Sequence, residues 1–203
     1  MYNFSKRLLD LFLTLFIFFI ISPAIILICI ASVICQGFPI FFIHKRLGLN
    51  GKSFKMIKFR SMLVGPSISA EDDVERITKY GRLLRKTSLD EIPVLFNVIK
   101  GEMSLVGPRP MPLKYLKRFN DYQIKRLSIK PGITGLAQIS GRNNLSWEQR
   151  FDLDIKYLLK KSLIFDIYIL LKTFMIVFKG DGVNALESEI MPEFMGNKDG
   201  DNK

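Results

Sequence analysis

Residues 11–43 read LFLTLFIFFIISPAIILICIASVICQGFPIFFI, without one charged side chain. The run is long enough to enter a bilayer, and its surroundings constrain how it does so. Lys6 and Arg7 precede it, while His44, Lys45, Arg46, Lys52, Lys55, Lys58 and Arg60 follow it; no acid stands between Asp10 and Glu71. Basic flanks favour the cytoplasmic side, so a single crossing would put one basic end on the unfavoured face. A segment that enters and leaves by the same face removes that conflict. Ser22-Pro23 lies near the middle of the run, where a proline deletes one backbone hydrogen bond and clashes with the preceding turn, predicting a kink or a break. Each limb, residues 11–21 and 24–35, would be about 18 Å long at helical rise, roughly half of a ~30 Å hydrocarbon core. On these residues alone a kinked transmembrane helix and a re-entrant helix both stay open. A signal peptide fits less well, because its apolar part would be shorter and no small-residue cleavage site precedes a mature domain.

Composition agrees with a membrane setting. The 203 residues carry 30 Lys and Arg against 19 Asp and Glu, a net charge of +11, yet 48% are hydrophobic and 17 are Phe. High charge with high apolar content places a protein at a membrane and excludes global disorder. One His and two Cys exclude most zinc sites and any disulfide framework; Cys29 and Cys35 sit in the apolar run, where an inert sulfur is expected. The length suits a single domain, divided as a membrane-inserted helix (1–37), a cytosolic or interfacial domain (38–180) and a polar, loose C-terminal tail (181–203).

Along the middle segment, residues 38–43 and 54–59 read as two strands around Asn50-Gly51, a hairpin that puts Lys58 and Arg60 on one face. Helices are expected at 72–84, 88–99, 113–127 and 146–160, with a loop at Pro131-Gly132 and Gly135. Residues 163–178 are apolar but contain Asp166 and Lys172, which suits an interfacial or core helix better than a crossing.

Chemistry concentrates between Arg82 and Pro110. Ser88-Leu89-Asp90-Glu91 has the form of a capping box, in which Glu91 would reach back to Ser88. Arg82, Arg85 and Lys86 stand just before the two acids, and such cations at a helix start would keep Asp90 ionised. Adjacent acids can also hold Mg²⁺, which binds through one or two carboxylates plus substrate phosphates. Arg109 lies between Pro108 and Pro110, whose fixed dihedrals make it a poorly mobile donor suited to a phosphate. Each feature alone has an ordinary structural reading: a helix cap, a surface turn, solvated hairpin cations. Clustered cations without acidic partners nearby point to an anionic ligand.

These stretches resemble a known family. Lys58-Phe59-Arg60-Ser61-Met62, Thr87-Ser88-Leu89-Asp90-Glu91-Ile92-Pro93, Asn97-Val98-Ile99-Lys100-Gly101, Met103-Ser104-Leu105-Val106-Gly107-Pro108-Arg109-Pro110, and Pro131-Gly132-Ile133-Thr134-Gly135-Leu136-Ala137-Gln138 with Gly141-Arg142-Asn143 look like the bacterial sugar transferases. More narrowly, the chain is similar to the small monotopic phosphoglycosyl transferases of the PglC type. The resemblance implies an α+β, mostly helical fold: an N-terminal re-entrant membrane helix broken at Ser22-Pro23, a small β-hairpin, and amphipathic interfacial helices around the active site. It also implies transfer of a sugar-1-phosphate from a UDP-sugar to polyprenyl (undecaprenyl) phosphate with release of UMP, through a covalent phosphosugar on an aspartate. In those terms Asp90 is the nucleophile, Glu91 positions it, and both hold Mg²⁺. Lys58, Arg60, Arg85 and Arg109 would bind substrate phosphates, with Pro108, Pro110 and Arg142 near nucleotide or sugar. The setting would be the cytoplasmic face of the bacterial cell membrane, in one leaflet with anionic lipid. Other enzymes of the glycan pathway are candidate partners; no nucleic-acid motif is present. His44, Val94 and Lys114 depart from the residues common in relatives, which bears on sugar contacts and not on the dyad. A glycosyltransferase releasing UDP and a non-catalytic basic membrane anchor are the competing readings.

Overall fold

In the computed structural model, which describes residues 2–65, 76–141, 145–179 and 193–196, the apolar run belongs to one helix, α1 (Tyr2–Gln36). The helix continues through Ser22-Pro23 in place of the expected break. Pro23 has no N–H for the Phe19 carbonyl four residues back, and the Ser22 hydroxyl donates to that same carbonyl at 2.9 Å. The Ser-Pro pair therefore supplies a substitute for the bond it deletes, and no orphan acceptor is left in apolar surroundings. Asp10, Leu13, Thr14, Phe18 and Ile21 turn towards protein, a spacing that defines one helical face. Elsewhere α1 is bare: Phe19 is 82% and Ile34 78% exposed.

Both ends of α1 are tied to the rest of the chain. Near the start, Arg7 donates to the Val98 and Ile99 carbonyls at 2.6 and 2.8 Å, and Asp10 accepts from the Ser104 hydroxyl at 2.7 Å. Near the finish, the Ser32 and Tyr80 hydroxyls lie 3.1 Å apart, Tyr80 donates to the Ile28 carbonyl, and Arg60 donates to the Gln36 and Gly37 carbonyls.

Strands β1 (Phe41–Leu47) and β2 (Ser53–Phe59) form the expected antiparallel hairpin, with Phe42 opposite Lys58, His44 opposite Met56 and Arg46 opposite Phe54. Asn50 and Gly51 take φ of 54° and 74° at the turn, conformations that Asn and Gly adopt at low cost. β1 runs further than its apolar residues alone suggest, and the extension brings His44 and Arg46 onto the Lys58 face. The first expected helix, 72–84, lies partly outside the described residues; α2 (Lys79–Lys86) is capped by Thr78, whose hydroxyl accepts from Gly81 N–H at 2.8 Å.

The expected helix at 88–99 is a 3-10 segment (Leu89–Val94) containing Pro93, followed by α3 (Leu95–Lys100). Residues 113–127 form two 3-10 segments, Leu113–Arg118 and Gln123–Ser128, and not one α-helix. The Pro131-Gly132 loop enters a strand: β3 (Ser104–Val106) and β4 (Gly132–Thr134) pair in parallel. Their approach is so close that a Cβ on Gly132 would lie 2.1 Å from Gly107 N. After α4 (Leu136–Ser140), α5 (Trp147–Lys160) carries a complete capping box of Ser146 and Gln149, and α6 (Leu163–Lys179) completes the helical part.

A core of Phe54, Met56, Val94, Val98, Met103 and Leu105 joins the hairpin to α3 and β3, with α1 and α6 packed on it. Asp166 of α6 is fully buried, accepting from Tyr157 at 2.6 Å, Lys6 at 2.9 Å and Tyr2 at 3.0 Å. The outer side of α6 is largely apolar and exposed, Ile164 at 82% and Phe174 at 62%; of the two charges noted inside residues 163–178, Asp166 faces protein and Lys172 is exposed. Asp166→Ala would leave the Lys6 ammonium without its closest acid, and is expected to destabilise the fold by about 3–5 kcal/mol. Thermal unfolding in detergent measures this.

Candidate active site

Four segments converge on one cavity of about 1180 Å³. Lys58 reaches it from β2, Asp90 and Glu91 from the 3-10 segment, Arg85 from α2 and Arg109 from the loop after β3. The expected capping box does not form. Ser88 takes a left-handed conformation (φ 57°) and its side chain makes no cap. Glu91 is thereby free for other partners: its Oε1 accepts from Lys58 Nζ at 2.6 Å and from Arg109 Nη2 at 3.0 Å. Asp90 is different. Among the described residues its carboxylate has no hydrogen-bond donor, only Lys58 Nζ at 3.9 Å.

The two acids are pushed in opposite directions. Burial raises the Glu91 carboxyl, but Arg109 and then Lys58 outweigh it and hold it at about 2. Burial lifts the Asp90 carboxyl above its ordinary value, with Lys58 opposing and Glu91 adding. Arg82, Arg85 and Lys86 were expected to keep Asp90 ionised; in the fold burial outweighs the cations that oppose it, Lys58 foremost, and the hydrogen bonds of Lys58 and Arg109 go to Glu91. Arg109 is raised, first by Glu91. Its side chain is 45% exposed, open to the cavity although protein surrounds it.

The other expected phosphate ligands are placed less directly. Arg85 Nε donates to the Ser61 hydroxyl at 2.8 Å, and both residues line the cavity. Arg60 also lines it while its guanidinium holds the Gln36 and Gly37 carbonyls. Pro108 and Pro110 are buried behind Arg109; Pro108 accepts from the Gly132 N–H at 2.9 Å. Arg142 lies outside the described residues.

Three cavity residues were not among the expected ligands. Arg46 donates to His44 Nδ1 at 3.3 Å, and Arg150 lines the same wall from α5. The strand alternation that places Arg46 opposite Phe54 and on the Lys58 face would have revealed it, had β1 been extended past Ile43. No local pattern marks Arg150. His44 is held well down, to about 4, by burial and then by Arg46, Lys58 and Arg109.

No group of three or more His, Cys, Asp or Glu gathers among the described residues. The donor set is a pair of carboxylates beside cations, which suits a hard divalent ion that completes its shell with water and substrate phosphate.

Residues 1–180 match the family described as bacterial sugar transferase, and the chain belongs to that family. It is 43% identical over 197 residues to the uncharacterized sugar transferase EpsL of Bacillus subtilis, covering 96% of this chain and 97% of that one. It is 40% identical to the undecaprenyl-phosphate galactose phosphotransferase of Salmonella typhimurium, over 89% of this chain and 42% of that protein. It is 38% identical to the UDP-glucose:undecaprenyl-phosphate glucose-1-phosphate transferase of Klebsiella pneumoniae, over 86% and 40%. The chain thus spans nearly all of EpsL and about two-fifths of the longer relatives.

The protein has a single His, so its ring resonances are unambiguous in NMR. They are expected to show no titration from pH 8 down to about 5, because the folded group titrates at about 4 and an unfolded one near 6.5. The unfolded chain then binds the extra proton first, so His44 makes folding less favourable as pH falls from about 6.5 towards 4.

Proposed function

We propose that the protein transfers a sugar-1-phosphate from a UDP-sugar to polyprenyl phosphate, with UMP as the leaving group and Asp90 as the nucleophile. The observation that carries this reading is the division of labour in the dyad. Glu91 is clamped by Lys58 and Arg109, whereas the adjacent Asp90 carboxylate accepts no hydrogen bond among the described residues and lines the cavity. A desolvated, unclamped carboxylate is a better nucleophile than one tied by two cations. An Asp90 oxygen attacks the sugar-linked phosphorus, a phosphorus–oxygen bond to UMP breaks, and UMP leaves with the bridging oxygen. An oxygen of the lipid phosphate then attacks the same phosphorus and releases Asp90. Charge on the phosphoryl oxygens meets Lys58, Arg85 and Arg109, which are already in place. Mg²⁺, held by Asp90 and Glu91, would neutralise the diphosphate.

Membrane access supports the same reading. A helix of this length is about 52 Å long, yet both its ends are bonded to one body. A simple crossing would carry them to opposite sides, and their attachment to one body supports an α1 that enters and leaves by the cytoplasmic face, within one leaflet. Part of the cavity wall comes from Ile17 and Ile21 of α1 and Ile176 and Val177 of α6, next to the bare faces of those helices. A lipid-borne phosphate reaches Asp90 along that apolar side without leaving the interface.

The decisive assay combines the protein, Mg²⁺, polyprenyl phosphate and a panel of UDP-sugars and measures the released nucleotide. UMP is expected, and Asp90→Asn should lower its release at least about a thousandfold; full activity of that variant, or UDP in place of UMP, overturns the proposal. The pH profile provides a second check. The carboxylate is the reactive form of Asp90 and Lys58 opposes its rise, so Lys58→Met should move the acid limb of kcat/KM to higher pH.

A further inference from the structure

The C-terminal tail, expected to be loose, has one firmly packed piece. The Phe194 ring is 2% exposed and lies 5.0 Å from Phe151, 5.6 Å from Tyr115, 5.8 Å from Trp147 and 6.0 Å from Phe119. Its backbone N–H donates to the Tyr115 hydroxyl at 3.1 Å. Beside it, Glu193 bridges Lys114 and Arg118, each at 2.6 Å. Tyr115 and Phe119 belong to the stretch that follows Pro110, while Trp147 and Phe151 belong to α5. One ring therefore joins two pieces of chain that meet the cavity separately.

The cluster that Phe194 closes contains Leu47, Met111 and Phe151. Each is a near neighbour in sequence of a cavity arginine: Arg46 precedes Leu47, Arg150 precedes Phe151, and Arg109 stands two residues before Met111. Backbone contacts tighten this arrangement, since Leu47 N–H donates to the Met111 carbonyl at 2.9 Å and Arg46 forms a bridge with Pro112. The Arg150 guanidinium lies 5.3 Å from the Trp147 ring centre. The three guanidiniums share a cavity wall but are carried by a strand, a loop and a helix. What holds those carriers in register is an aromatic core that is incomplete without Phe194.

We propose that Glu193 and Phe194 form a latch: a positioning element whose docking sets Arg46, Arg109 and Arg150 for the phosphates of the nucleotide donor. The latch rests on the donor reading proposed above. Phe194 touches no substrate; it acts through the three arginines.

Trp147 is the sole tryptophan, so its emission reports docking of the latch without any nucleotide. The test uses the full chain in nanodiscs, with UMP as the binding probe and a peptide of residues 188–203 added in trans. Phe194→Ala is expected to change the Trp147 emission and weaken UMP binding about tenfold or more, as displaced binding groups do. Phe194→Leu should keep much of both properties, and the peptide should restore both to the Ala variant. Glu193→Lys, which opposes Lys114 and Arg118 without opening a core cavity, should give the same two changes in smaller measure.

Unchanged emission in Phe194→Ala overturns the docking, and changed emission with unchanged UMP affinity overturns the positioning. A loss of UMP binding that only tracks the folded fraction, with no rescue by Leu or by peptide, reduces Phe194 to a core residue and also overturns the proposal. If the wild-type chain binds no UMP while its emission still answers to the latch variants, the donor reading fails, and the docking arm tells that failure apart.

Discussion

One carboxylate oxygen organises the cavity. Glu91 Oε1 sits between Lys58 on the hairpin and Arg109 on the loop after β3, and so ties together three segments that are far apart in sequence. The bond exists because Ser88 adopts a left-handed turn, which makes no cap and points the chain so that Glu91 faces β2. With both cations engaged there, the neighbouring Asp90 is left buried and, among the described residues, without a hydrogen-bond donor. Two adjacent acids consequently differ in kind, one locked in its ionised form and one available. Such a split is how a single site assigns separate tasks to two carboxylates.

The relation of α1 to the rest of the chain bears on the second demand of the proposed reaction, an active site within reach of a lipid headgroup. The Ser22 hydroxyl, by bonding the carbonyl that Pro23 cannot serve, lets an apolar helix pass a proline without an unsatisfied group. Polar side chains occur on α1 where it meets protein: Asp10 on Ser104, Arg7 on the end of α3, Ser32 on Tyr80. The remaining surface is apolar and exposed, and α6 presents a second bare face. Ile17 and Val177 belong both to those faces and to the cavity wall, so in the proposed reaction substrate chemistry and membrane attachment are one construction.

Much of this was legible in advance. The apolar run, the Asn50-Gly51 hairpin, the helix at Trp147–Lys160 with its Ser146 cap and the Asp90-Glu91 pair with Lys58 and Arg109 are all local patterns, and local patterns survive folding. The misreadings share a cause. The box at Ser88 and the helix at 113–127 were judged on propensity, which tertiary contacts override within short segments; Pro93 and Gly132 then dictated a 3-10 turn and a parallel strand. Arg46 was missed because a strand was ended where its apolar residues ended, and Arg150 because nothing near it in sequence refers to the cavity. Phe194 was hidden in a polar tail, where one aromatic residue carries no periodicity.

By itself the sequence determined the hairpin, the helix at Trp147–Lys160, the apolar character of the first helix and the family, because these follow from side-chain type and spacing over a few turns of chain. Only the tertiary structure decided which carboxylate keeps its cations, which arginines face the cavity, whether the proline interrupts the helix and where Phe194 packs. Those outcomes depend on desolvation and on hydrogen bonds between residues tens of positions apart. Their energies are set by distance and burial, which exist once the chain has folded.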